Sequence, residues 1–143
     1  IRPRDWSSDV CSSDLSAMTF SSETWALKKD EQERLERTQM RMLRWMAGVS
    51  REDRLTNETI RDKFRVDSIS EVIRRSRLRW FGHVVRREPQ HAARIALGVE
   101  VEGRVQRGRP RVTWQAKVKD DMKSRELREE DAQNRVKWKC AIR

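Results

Sequence analysis

The chain has no tyrosine, two cysteines, two histidines, three prolines and only five glycines among 143 residues. Each scarcity excludes something. Cys11 and Cys140 are too few for a disulfide framework and point to a reducing compartment. His83, His91 and Cys140 have no metal-ligand spacing, which argues against a zinc site. No glycine-rich phosphate cradle and no nucleophile–base–acid set is visible. The longest uncharged run is eight residues, Leu15–Ser22, far short of the roughly 20 that a membrane-spanning helix needs. The first residues also lack the apolar core of a secretory leader.

Charge is abundant instead. Charged residues make up 39% and apolar residues 36%, so the core must be modest, although six tryptophans add large apolar rings to it. The net charge of +10 points to a polyanionic partner, nucleic acid before membrane. It is concentrated: residues 16–64 carry +1, residues 74–111 carry +8 and residues 112–143 carry +3. All 11 basic residues in the central stretch are arginine, the side chain suited to forked phosphate contacts and to stacking on bases.

Periodicity predicts helices. Asp30 and Glu33 approximate a capping box for a helix with Leu35, Gln39, Met42, Leu43 and Met46 as its apolar stripe, closed by Gly48 as a left-handed cap. Arg34, Arg37, Arg41 and Arg44 line its opposite strip, bordered by Trp45. A shorter helix after Thr56 or Asn57 buries Ile60 and Phe64. Ser68 and Glu71 open a helix over about 69–87, with Ile69, Val72, Ile73, Trp80 and Val84 on one apolar face and Leu78, Phe81 and Val85 on another. His91–Leu97 suits one or two helical turns, and Val99 with Val101 gives a weak strand signal. Thr113 caps a helix carrying Trp114, Val118 and Met122, and a last helix over about 129–142 presents Ala132, Val136 and Cys140.

Three features suggest binding. Arg75, Arg79 and Arg86, extended by Arg87 and interrupted by Gly82, form either a surface that tracks a phosphate backbone or a solvated face with Gly82 at a helix crossing. The loop "GRVQRGRPR" (Gly103–Arg111) offers Arg104, Arg107, Gly108, Arg109, Pro110 and Arg111. Its core resembles an AT-hook, a narrow extended segment that lays arginines into the minor groove, though a basic interhelical loop gripping phosphates, or a solvated loop with no partner, fits the same residues. Tryptophans could stack on bases; Trp80 and Trp114 lie on apolar stripes and are expected to be buried. In "KDDM" (Lys119–Met122), Asp120 and Asp121 point to different helix faces and read as solvated acids rather than a two-metal pair, while His83 reads as a packed histidine.

Four segments, taken in order, resemble a known family: "SETWALKKDEQERLERTQMRMLRWMAGVSREDR" (Ser22–Arg54), "RLRWFGHVVRR" (Arg77–Arg87), "EGRVQRGRPRVTWQAKVKDDM" (Glu102–Met122) and "LREEDAQNRVKW" (Leu127–Trp138). The set is similar to the C-terminal region of reverse transcriptases of non-LTR (LINE-type) retrotransposons, especially the RTE-like clade. In that family an endonuclease, fingers and a two-metal palm come first. The resemblance therefore implies thumb-side and post-thumb helices that grip RNA template, primer or target DNA. It further implies a eukaryotic nucleus or cytoplasm and two divalent metal ions in a palm that this chain lacks. Where the family tends to have Tyr-Gly before "SETW", this chain has Phe20-Ser21. The stretch "DWSSDVCSSDL" (Asp5–Leu15) resembles a translated sequencing-library adapter and is set aside as a scar, leaving Cys140 as the only native cysteine.

The sequence therefore predicts a mainly α fold of four to six helices, with a short basic loop or strand between about 98 and 112 and a disordered N-terminus. Residues 1–21 are an artefactual or disordered leader, and residues 22–143 an incomplete helical domain. It predicts no cofactor in this chain, no membrane, and nucleic acid together with the missing fingers and palm as partners. A free-standing helical DNA-binding module with an AT-hook-like loop is the alternative; a purely structural interaction fragment or a remnant without present function are further readings.

Overall fold

The computed structural model describes residues 15–99 and 112–142. The chain is mainly α-helical, and no strand occurs among the described residues. Two compact units divide it, one holding residues 15–22 and Leu27–Ile73, the other Glu23–Ala26 and residues 74–142 of the described chain.

In the first unit, α1 spans Lys29–Ala47. Its capping box lies two residues earlier than the predicted one, at Lys28 rather than Asp30, because Glu31 rather than Glu33 reaches back, its Oε2 accepting the Lys28 N–H at 2.8 Å. Gly48 ends α1 at φ +65°, and Val49 N–H returns to Arg44 O at 3.0 Å, the double closure that a left-handed glycine permits. Helix α2, Asn57–Phe64, is capped by the Thr56 hydroxyl, which accepts the Thr59 N–H at 3.2 Å. Met40, Leu43 and Ile60 form the core, with Leu15, Met46, Phe64 and Val66 half-buried around them. The buried stripe is therefore rotated from the predicted one: Met40 is inside and Met42 only half-buried. Gln39, fully buried, closes the following turn, its amide donating to Asp67 O at 2.8 Å and accepting Ile69 N–H at 3.0 Å. A buried amide so satisfied fixes where the next helix begins.

Helix α3 spans Ile69–Val85, and the Ser68 hydroxyl caps it by accepting the Glu71 N–H at 3.3 Å. Its residues Ile69–Ile73 belong to the first unit and the rest to the second. In the second unit follow α4 (Ala92–Gly98), α5 (Trp114–Ser124), a 3₁₀ turn (Glu129–Gln133) and α6 (Arg135–Ala141). Leu78, Phe81, Val118, Met122, Ala132, Trp138 and Ile142 make the core, each no more than 5% exposed. Phe81 lies between Trp114 and Trp138, with ring centroids 6.4 and 6.1 Å away.

The single last helix expected over about 129–142 breaks at Asn134, which lies outside helical geometry (φ −84°, ψ 98°) and caps α6 by accepting the Val136 and Lys137 N–H groups. The break resets the helical phase. Trp138 and Ile142 turn inward, and Val136 (74% exposed) and Cys140 turn to solvent, the reverse of the predicted stripe apart from Ala132.

Candidate nucleic-acid interface

The predicted Arg75/Arg79/Gly82/Arg86 strip does not form one surface. Gly82 is buried against Trp138: a Cβ at this position would lie 2.4 Å from the indole Nε1 and 2.7 Å from Cδ1. The indole N–H donates to Leu78 O at 3.0 Å, locking the ring across the helix backbone. The glycine thus sits at a helix crossing. Arg86 donates to Ala132 O at 2.6 Å, and burial, then the nearby Arg135, pull its guanidinium below the ordinary arginine range. Arg75 is half-buried. Only Arg79 and Arg87 of the set project into solvent.

This arrangement also explains Trp80. With Trp138 seated over Gly82, the buried arc of α3 runs through Arg77, Leu78, Phe81 and Val84, and Trp80 is left 38% exposed, contrary to the expectation of burial. Trp114, expected to be buried, is half-buried against the core, its Nε1 donating to Glu23 O at 2.7 Å. His83, expected to pack inside, is exposed and stacks on Trp80, centroids 5.6 Å apart and planes 26° from parallel.

Asp120 is exposed, as expected of a solvated acid, but Asp121 is not: it is buried between two arginines. Arg77, itself 6% exposed, donates from Nε to Asp121 Oδ2 at 2.7 Å and from Nη1 to Trp25 O at 2.9 Å; Arg74 Nε lies 3.5 Å from the other oxygen. Burial pushes the Asp121 carboxyl above the usual range, and Arg77 and Arg74 offset this only in part. One aspartate between two guanidinia is a structural lock. Among the described residues no cluster of His, Cys, Asp or Glu could hold a metal ion.

The first unit holds a groove of about 920 Å³. Arg37, Arg41 and Arg44 from α1, Arg51 from the loop and Arg61 from α2 line it, against two acids, Glu33 and Glu36. Three of the four arginines of the predicted α1 strip are thus gathered here, joined by Arg51 and Arg61, and Arg34 lies outside the lining. Only the fold reveals the contribution of Arg51 and Arg61. Arg44 is already engaged, donating from Nη2 to Leu55 O at 2.8 Å and to Asn57 Oδ1 at 3.1 Å, which ties the loop to α1. Arg37 and Arg41 are exposed. Arg61 Nε is buried and has no hydrogen-bond partner among the described residues, a donor that an anion would satisfy. Trp45, 68% exposed, forms part of the wall.

Arg104, Arg107, Gly108, Arg109, Pro110 and Arg111 lie outside the described residues, as do the predicted strand residue Val101 and the stretch before Leu15. Among the described residues no helix is long and apolar enough to cross a membrane. Comparison with family models, with curated proteins and with solved structures gives no match.

Proposed function

We propose that the chain is a nucleic-acid-binding, non-catalytic C-terminal part of a retrotransposon reverse transcriptase, gripping RNA template and primer or target DNA. The resemblance of the four ordered segments supplies the family. The observation that carries the binding function is the groove of the first unit: five arginines against two glutamates, a buried guanidinium N–H without a hydrogen-bond partner among the described residues, and an exposed tryptophan at the wall. Arginines in a concavity hold phosphates by forked contacts and release condensed counterions as they do so. The +8 of residues 74–111 supports the same reading. On this reading the two metal ions belong to a palm outside this chain.

The test is fluorescence anisotropy with labelled RNA and DNA across a salt series. Affinity should fall steeply with salt. Replacing Arg37, Arg41 and Arg51 together by alanine should flatten the log–log salt slope by about 2–3, at roughly 0.7–0.9 for each phosphate no longer neutralised. An unchanged slope and affinity would rule out the groove. Replacing Arg107, Arg109 and Arg111 by alanine measures the loop's share in the same way.

A further inference from the structure

The outward arc of α3 carries a second feature, separate from the groove. Arg79, Trp80 and His83 lie on one side of α3, and they and Arg87, in the bend just beyond its end, are all exposed. Trp80 and His83 form a stacked pair of rings. Arg87 Nη2 donates to His83 Nε2 at 2.8 Å. A guanidinium has no acceptor, so the imidazole must accept through Nε2, and its neutral form carries the proton on Nδ1. The bond holds the ring in place beside Trp80. Arg79 precedes the two ring residues in the chain and Arg87 follows them, in the bend just past the end of α3, so the rings are flanked by an arginine in either direction of the sequence.

A tryptophan left 38% exposed on a helix that buries its other large apolar residues calls for an explanation, and the flanking charges narrow what it meets. An apolar protein surface would leave two arginines desolvated without partners. A duplex presents its bases already stacked and paired, so flat rings on a convex helix could not reach their faces. A single strand offers both chemistries at once: an open base face for the rings and a phosphate on either side for Arg79 and Arg87. We infer that the Trp80–His83 pair is a stacking platform for an unpaired nucleobase, with Arg79 and Arg87 clamping the adjoining phosphates. This rests on the nucleic-acid reading above and adds to it a preference for single strands.

The experiment uses the full chain with a labelled oligothymidylate strand and a duplex of equal length. Trp80→Ala should weaken binding to the strand about 5- to 150-fold, the range for removal of one base–aromatic stack, and leave duplex binding and the salt slope unchanged. Trp80→Phe should keep most of the affinity, and His83→Ala should lose part of it. Trp80 is exposed, so the fold should survive; circular dichroism checks this, and His83→Ala tests the platform independently. If the wild-type chain binds both probes and neither Trp80→Ala nor His83→Ala alters strand binding, the platform is wrong and the groove stands. If Trp80→Ala weakens strand and duplex equally, the stacking preference is wrong. If the wild-type chain binds neither probe at any salt concentration, both readings fall together.

Discussion

Replacing Gly82 by alanine sets two physical effects against each other. Alanine is the better helix former by about 1 kcal/mol, and Gly82 lies inside α3 without a left-handed φ, so propensity alone predicts stabilisation. Packing predicts the opposite. The added Cβ would lie 2.4 Å from Trp138 Nε1 and 3.0 Å from Arg86 Nη1. The clashing atoms belong to the ring of a tryptophan that is 2% exposed, so they cannot swing into solvent. The ring must retreat, stretching the 3.0 Å bond to Leu78 O and loosening its packing on Phe81. Overpacking of this kind costs about 1–3 kcal/mol, and breaking a buried hydrogen bond about another 1. The clash wins, for a net destabilisation of about 1–3 kcal/mol. In a unit of this size each kcal/mol moves the melting temperature by about 4–8 °C. Thermal unfolding followed by circular dichroism should show Gly82→Ala melting clearly below wild type. Gly98→Ala is the control: a Cβ there meets nothing within 4 Å among the described residues, so its melt should match or slightly exceed wild type. A Gly82→Ala melt at or above wild type would refute the assignment of this glycine to the crossing with Trp138.

Two further outcomes follow from the charged side chains. Arg77→Ala leaves Asp121 buried with only the half-exposed Arg74 beside it and should cost about 3–5 kcal/mol in chemical denaturation, whereas the double change Arg77→Met with Asp121→Leu should come much closer to wild type; equal destabilisation in the two would contradict a buried ion pair. Asp131 accepts the Arg128 N–H at 3.0 Å and pairs with Lys137, and these interactions, the Lys137 hydrogen bond foremost, hold its carboxyl below the ordinary value of about 3.9. Its stabilising contribution is present above that value and is lost as pH falls through the lower folded one. The gap in melting temperature between wild type and Asp131→Asn should therefore be constant near neutrality and close below about pH 4; a gap that widens on acidification would contradict the sign.

Cap signals from hydroxyls and from glycine are legible in the sequence, whereas the Asp30–Glu33 box gives way to Lys28 and Glu31. Thr56, Ser68 and Thr113 cap the helices they precede, and Gly48 adopts the left-handed turn. Facing was less legible. Gly82, whose missing side chain admits the Trp138 indole, marks the side of α3 that meets the rest of its unit, and Trp80, on the opposite side, stays 38% exposed; periodicity alone does not show which side is covered. The phase of α6 depends on the break at Asn134, which periodicity averaged over about 129–142 conceals. Asp121 looked solvated because its two arginines lie 44 and 47 positions away in the chain. For the same reason the α1 arginine strip was visible as a pattern, but Arg51 and Arg61, the other donors of the groove, were not.

The arginines also answer the scarcity of glycine. Gly48 is the only glycine with positive φ among the described residues. Elsewhere, loose backbone carbonyls are closed by guanidinium groups: Arg94 on Val85 at the end of α3, Arg125 on Ala141 at the end of α6, Arg86 on Ala132, Arg77 on Trp25 and Arg44 on Leu55. Each of these cations serves as an internal terminator of the main chain. The electrostatic valence that the protein can offer to a polyanion is accordingly smaller than its titration charge, and part of its basic character is architecture.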